Sequence, residues 1–562
     1  MSMNREKNHR EEKGVPFSLS AKGETMKKYL KKEYLLIAFI FIAILSTILI
    51  KPLGDLDEIW NYNVARNIAK GQIPYKDIST ITTPLLPAIN AIFLKMLGDE
   101  LIVMRILAAV LGTAIIYMVF KILRKLTNET NISMIATLLI GILFRELYCI
   151  DYNYLTLFIA LLILYLELKQ HLEQKQYLEQ KQHLEQKQYL EPNEPLNFKQ
   201  HLLLGILGGL AICTKQSIGF LVAFVTVICP ILEVRTKQEL KTVMHKILVR
   251  ILGVAIPCFI LLIYLLATNS LKDFINYAIQ GISTFDNYIP YDFLFISNAK
   301  EVTILARVMP IAVGVMILIT LVTIIMQIKN KTRNQIVQNI QILTLYSLPI
   351  LIVIYPISDK IHFLIGITIA LIGVVYLITV CVKWLYKKIP QYTYTLFAYK
   401  SITLIIWLII AGWIANQGYQ NIKLYTDMYA RGTINKDIEH YKYIEIPDYL
   451  RERIEQIGNY IKEKESQNIQ VYILDAEAAV YNIPQERYIK NYDMFLKGNI
   501  GKDGEQGIIE KIKNETTSNT VYLIKKEEFG LNWQTPTQVI DYIRENLEKT
   551  GEISIYDEYI CK

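Results

Sequence analysis

From residue 34 to residue 418, apolar runs long enough to cross a bilayer alternate with short polar connections. Helices satisfy their own backbone polar groups in hydrocarbon, so this pattern predicts a polytopic α-helical membrane protein. Helices are expected at 33–50, 101–124, 132–147 and 152–168. The stretch 202–232 follows, broken near Thr214-Lys215-Gln216 into two short helices. Further helices are expected at 248–268, 303–328, 337–356, 362–382 and 401–418, for about eleven spans by hydropathy. Between the first two spans, 57–70 reads as an amphipathic helix. The piece 84–97 is apolar, too short to span comfortably, and carries Lys95. Both are expected as juxtamembrane helices within a first loop at 51–98. Past 420 the pattern changes. Helical stretches at 447–466 and 537–549 mix with strand-like runs, Val471-Tyr-Ile-Leu and Val521-Tyr-Leu-Ile. That mixture predicts a small, separate α/β domain over 421–562.

Charge gives the chain a direction. The polar tail 1–32 is basic, with Lys27, Lys28, Lys31 and Lys32, and should stay in the cytoplasm. The spans then alternate: basic loops at Arg235–Lys246, Lys329–Arg333 and Lys383–Lys388 fall inside, while 51–98, 145–151, 269–301, 358–362 and the C-terminal domain fall outside, which suits a plasma-membrane protein. The net charge of +8 is accounted for by these cytoplasmic anchors, so it does not argue for nucleic-acid binding. The segment 169–200 repeats His-Leu-Glu-Gln-Lys-Gln with a period of six, which scatters its leucines around a helix and builds no coiled-coil seam. It reads as a low-complexity cytoplasmic insert. The six cysteines show neither metal-ligand nor redox spacing.

The polar residues beside apolar segments carry the candidate chemistry. Asp55, Asp57, Glu58, Arg66, Lys76, Asp77, Asp151, Lys215, Asp359, Lys360 and His362 all fall on the outer face of this topology. Ionisable residues at a hydrocarbon boundary are costly and mark functional sites. Several carboxylates with several cations suit acid/base chemistry on a phosphorylated, lipid-borne substrate. Simpler roles exist for each: Asp57 and Glu58 favour a helix N-terminus, Asp151 can cap 152–168, and Lys215, Lys360 and Arg105 can anchor at headgroups.

The run Asp57-Glu58-Ile-Trp-Asn-Tyr-Asn-Val-Ala-Arg66-Asn-Ile-Ala-Lys-Gly71, then Thr83-Pro84-Leu85 and Met104-Arg105, resembles the N-terminal signature of the GT-C glycosyltransferases. The branch it is most similar to holds protein O-mannosyltransferases and bacterial aminoarabinose transferases. Asp151-Tyr-Asn-Tyr, Gly208-Gly-Leu-Ala-Ile-Cys-Thr-Lys215 and Asp359-Lys360-Ile-His362 resemble later motifs of the same family. The resemblance covers roughly 33–420, and the C-terminal domain matches no family.

The resemblance implies a polyprenyl-phosphate-linked sugar donor, a glycan, lipid or protein acceptor, and inversion at the sugar. Asp57 would be the general base, with Glu58 beside it. Asp151, Lys215, Arg66, Lys360 and His362 would bind substrate. One departure stands out: Thr83 occupies a position where relatives carry a lysine that meets phosphate. The resemblance fixes no cofactor, and carboxylates near a phosphate could hold a divalent ion. A transporter or flippase of a lipid-linked glycan is the alternative. It should show matching broken helices in two halves, and the break at 202–232 has no partner. A third alternative is a membrane scaffold presenting the C-terminal domain. Removing that domain would then abolish function, whereas an enzyme could keep its chemistry and lose acceptor choice.

Overall fold

A computed structural model describes residues 19–185, 198–234, 237–296, 300–330, 334–386, 388 and 393–561. The first part is helical: α1 (Leu19–Leu49), α2 (Leu56–Ala69), α3 (Leu85–Leu97), α4 (Leu101–Thr127), α5 (Thr130–Leu143), α6 (Tyr152–Glu185), α7 (Phe198–Thr214), α8 (Gln216–Ile228) and α9 (Lys237–Ala267). Two single-turn helices follow, α10 (Leu271–Phe274) and α11 (Phe293–Ile296), then α12 (Lys300–Asn330), α13 (Gln335–Leu351), α14 (Lys360–Tyr386) and α15 (Thr393–Arg431). Each stretch expected to span is helical over most of its length. Among the described residues eight helices are long and apolar enough to cross a membrane. The segments Glu33–Leu49, Thr130–Leu143 and Phe198–Thr214 are shorter, as is the juxtamembrane Leu85–Leu97. The third expected span stops at Leu143 rather than 147, and its last residues become turn. Part of the low-complexity insert continues α6 as far as Glu185, and 186–197 lies outside the described residues.

The helices pack in an order that matters below. The helix α1 lies on α4 and α15, α4 lies on α6, α6 lies on α7, and α7 lies on α8 and α9. Thus the α4–α6 pair separates an α1–α5–α15 flank from an α7–α8–α9 flank. Where α7 and α9 cross, small residues let backbones approach: a methyl group on Gly205 would sit 2.2 Å from the Arg250 carbonyl oxygen.

The C-terminal domain contains α16 (Asp448–Ser466), β1 (Gln470–Ile473), α17 (Ala478–Asn482), α18 (Gly504–Glu515), β2 (Thr520–Lys525), α19 (Thr537–Asn546), β3 (Glu548–Ile553) and β4 (Tyr556–Ile560). Its sheet runs β1-β2-β4-β3, with β1 and β2 parallel and the rest antiparallel. The two expected strands form. The charged hairpin β3–β4 was not expected, because Glu548–Ile553 is mostly exposed and lacks an apolar alternation. Far from hanging free, the domain is buttoned onto α2 and the first loop. Trp60 Nε1 donates to the Ala476 carbonyl at 3.0 Å, Asn63 Nδ2 to Asp493 at 2.8 Å, and the Ser79 backbone N–H to the Tyr488 hydroxyl at 2.9 Å.

Candidate active site

Helix α2 places three different functions on three of its faces. Asp55 caps it, accepting the Glu58 backbone N–H at 3.4 Å. One stripe, Asp57, Trp60, Asn61 and Val64, follows the 3.6-residue period and lines a narrow cleft with room for about 30 Å³. A second stripe, Glu58, Ile59, Tyr62 and Ala65, is buried in the core. A third, Asn63 and Arg66, turns toward the C-terminal domain, with Asn67 donating back to the Asn63 carbonyl.

Glu58 therefore does not face the cleft. Both its oxygens are taken by Arg105 of α4, Nε at 2.9 Å and Nη2 at 3.0 Å. Arg105 also donates to the Lys51 and Pro52 carbonyls at 2.6 and 3.2 Å. This buried fork joins α2 to α4 and to the end of α1 and occupies both Glu58 oxygens. Arg105, expected as an interfacial anchor, is 1% exposed. Arg66 is also drawn away from the expected role. It is fully buried and donates to Glu486 of the C-terminal domain at 2.9 Å and to Asp99 at 3.4 Å, with His440 Nε2 3.1 Å from its guanidinium. It cannot reach a phosphate in the cleft without abandoning these partners.

Around Asp57 the sequence-distant candidates converge. Its carboxyl is pushed up to about 7 by the protein packed around it and then by the negative charges of Asp151 and Asp55; His362 pulls it down and Asp359 pushes it up. The side chain itself still meets solvent through the cleft, which tempers its desolvation. Asp151 is buried and raised by that burial, against the opposing charge of Lys215 and the hydrogen bond from the Asn153 N–H at 2.7 Å. That bond makes it a capping residue of α6. Asp359 does the same for α14, accepting the His362 backbone N–H at 2.8 Å and holding its ring Nδ1 at 2.9 Å. Of the four acids that act on one another here, Asp55, Asp151 and Asp359 are committed to helix N-termini, and Asp57 presents its carboxylate to the cleft.

Lys215 sits in the turn between α7 and α8. The turn is tight because Gly219 packs against the Ala211 carbonyl, where a methyl group would lie 2.0 Å from that oxygen. The ammonium donates to Asn153 Oδ1 at 2.7 Å and lies 4.9 Å from the Tyr152 ring centre. Burial lowers it to about 8, against the charges of Asp151 and Asp57, which hold it up. No side chain caps α8, whose first turn begins beside this ammonium. Lys360 instead leans toward Glu146, at 3.8 Å. Thr83 is buried and donates to the Ile212 carbonyl at 2.8 Å, fastening the first loop to the end of α7. Lys76 is exposed on that loop, its carbonyl held by Lys490 at 2.7 Å.

For a metal, the described residues offer Asp99, His440 and Glu486, with ligand atoms within 4.8 Å of one another. Arg66 and Lys70 already ion-pair with these carboxylates, so the cluster is neutralised by protein cations. Together Lys70, Arg66 and His440 outweigh the burial that would raise Glu486, and hold it at about 2.

Thirteen solved chains match this architecture. ArnT from Cupriavidus metallidurans in the apo state superposes with a TM-score of 0.52 at 10% identity, over 96% of this chain and 98% of that one. The fold is the GT-C fold. ArnT bound to undecaprenyl phosphate gives 0.50 at 10% identity, over 94% and 97%. The Archaeoglobus fulgidus oligosaccharyltransferase complexed with Zn and sulfate gives 0.42 at 12% identity; 80% of this chain matches and spans 61% of that protein. No protein-family model and no curated protein matches the sequence.

The sequence reading missed several cleft residues. Trp60, Asn61 and Val64 lie three, four and seven positions after Asp57 and were open to discovery from helical period alone. Thr80 and Thr82 stand in a loop without local signal. Met494 comes from the C-terminal domain, and only the tertiary fold brings it to the cleft.

Proposed function

We propose that this chain is a membrane glycosyltransferase that moves a sugar from a polyprenyl-phosphate donor to an acceptor hydroxyl on the extracytoplasmic face, with the C-terminal domain outside. The observation that carries it is the gathering of Asp57, which lines the cleft together with Tyr152, and of Lys215, which lies 4.9 Å from that same ring and donates to Asn153; the surrounding protein raises Asp57 to about 7 and lowers Lys215 to about 8. A base whose affinity for protons lies near neutrality can take a hydroxyl proton at working pH. A cation beside an uncapped helix N-terminus suits a phosphate.

Asp57 accepts the acceptor's proton as its oxygen bonds to the anomeric carbon. The bond from that carbon to the phosphate oxygen breaks, the lipid phosphate leaves on the opposite face, and the sugar inverts. Lys215 and the first turn of α8 take up the charge developing on the phosphate. Asp151 and His362 set the field around the pair, and Lys360 stays at the rim. The likeness to ArnT, one structure of which is bound to undecaprenyl phosphate, supports the donor class. Asp57→Asn tests the reading directly. It should abolish transfer in protein that is still inserted and monodisperse, and full transfer by that variant would sink the assignment.

A further inference from the structure

One wall of the cleft has no part in the chemistry described so far. Tyr152 opens α6, directly after Asp151, and lines the cleft with Asp57, Trp60, Asn61, Thr80 and Thr82. Its ring faces Lys215, whose ammonium lies 4.9 Å from the ring centre. The carboxylates of Asp151, Asp57 and Asp359 all act on its hydroxyl. The phenol therefore stands between the two proposed partners, with the cation at its ring and the base near its oxygen.

Its place is braced. Helix α6 lies between α4 and α7. In its first turn the Asn153 N–H is held by Asp151 at 2.7 Å, and Asn153 Oδ1 accepts Lys215 at 2.7 Å. The hydroxyl is the anomaly. Tyr154, two residues on, donates to the Leu147 carbonyl at 2.8 Å, and Tyr75 of the first loop donates to the Thr82 carbonyl at 2.6 Å. Half-buried Tyr152 has no hydrogen-bond partner for its hydroxyl among the described residues. A hydroxyl enclosed without a protein partner is satisfied by what enters the cleft.

The displacement proposed above sets what enters. Attacking oxygen, anomeric carbon and phosphate oxygen stand in a row. Asp57 takes the proton at one end and Lys215 meets the phosphate at the other, so a residue between them flanks the sugar. The cleft has room for about 30 Å³, space for little more than water, so an entering sugar is pressed against its walls. Thr80 and Thr82 stand on a loop, whereas Tyr152 stands on the braced turn.

We infer that Tyr152 contacts the transferred sugar, its hydroxyl donating to a sugar hydroxyl while its ring holds Lys215 at the leaving phosphate. This rests on the transferase reading above and adds to it the wall that orients the sugar. An in-line reaction depends on such fixing of the reacting carbon.

Two variants separate the hydroxyl from the ring. Tyr152→Phe keeps the ring beside Lys215 and removes only the oxygen, while Tyr152→Leu removes both. Purified full chains in detergent are titrated with undecaprenyl phosphate, which carries no sugar, and retained lipid is read by native mass spectrometry. In parallel, cells expressing each variant at matched levels are followed after induction for the glycan product missing in Asp57→Asn. Tyr152→Phe should unfold at the parent's midpoint, retain undecaprenyl phosphate as the parent does, and accumulate product about tenfold more slowly. Tyr152→Leu should in addition retain the lipid about tenfold less tightly, as Lys215→Ala should. Parent-rate accumulation in Tyr152→Phe would overturn the sugar contact. So would weakened lipid retention in that variant, which would assign the hydroxyl to the phosphate, or a lowered midpoint, which would make the loss one of folding. Undiminished retention in Tyr152→Leu would overturn the ring's part. Unchanged glycans in Asp57→Asn would defeat the transferase reading and this inference with it, an outcome told apart because that comparison leaves Tyr152 in place.

Discussion

Two residues with converging proton affinities give the proposed enzyme a narrow working range. Asp57 must be ionised to act as base, so activity should rise as pH climbs through about 7. Lys215 must be protonated to hold the leaving phosphate, so activity should fall as pH climbs through about 8. The pH profile of kcat/KM is therefore expected to be bell-shaped with limbs near those values, and a flat profile from 6 to 9 would contradict the pairing. Asp151 provides a sharper check. Among the charges around Asp57 it contributes most to the upward push, and it also helps keep Lys215 protonated. Asp151→Asn retains an acceptor for capping α6 while removing the charge. Both limbs should then move to lower pH, and a variant that merely disturbed the fold would lose activity without that common shift.

At the scale of elements, α2 shows how much was legible in the sequence. Asp57 was readable as a candidate because the resemblance set its register, although an acid pair in the first turn of a helix also suits the helix dipole. The partners of Glu58 and Arg66, Arg105 on α4 and Glu486 in the C-terminal domain, were not legible because they are close only after folding. Each residue's chemistry was visible while its direction was not. The Glu58–Arg105 fork makes a clear prediction. Removing one member leaves a buried charge unpaired, which costs about 3–5 kcal/mol. Glu58→Ala should therefore lower the thermal unfolding midpoint in detergent markedly and reduce transfer through displacement of α2. Reversal by the double variant Glu58→Leu with Arg105→Met, at least in stability, would confirm the pair as structural; an unaltered midpoint in Glu58→Ala would refute it. The apolar helices and both core strands were visible because burial imposes a pattern along the chain, whereas the exposed hairpin β3–β4 carries no such imprint.

The whole molecule ties its two parts through α2. The C-terminal domain hydrogen-bonds Trp60, Asn63 and Arg66 on α2, contributes Met494 to the cleft, and reaches the loop at Tyr75 and Lys76 through Lys490. Its Asp493, fully enclosed, is raised to about 6 by burial, against the pull of donors that include Asn63. A sequence reading that treats this domain as separate expects chemistry to survive its removal. The contacts argue otherwise. Truncation after residue 447 would leave the buried Arg66 without Glu486 and Asn63 without Asp493, and would strip one wall from the cleft. Exposed polar groups would rehydrate, but the face of α2 that carries them would lose the packing that aims Asp57. The truncated chain should insert, since its apolar spans are intact, yet transfer to any acceptor should fall at least as far as in Asp57→Asn. Supplying 448–562 as a separate polypeptide should restore part of it. Wild-type transfer by the truncated chain would show that the domain only selects acceptors, and that α2 holds Asp57 in place through Glu58 and Arg105 alone.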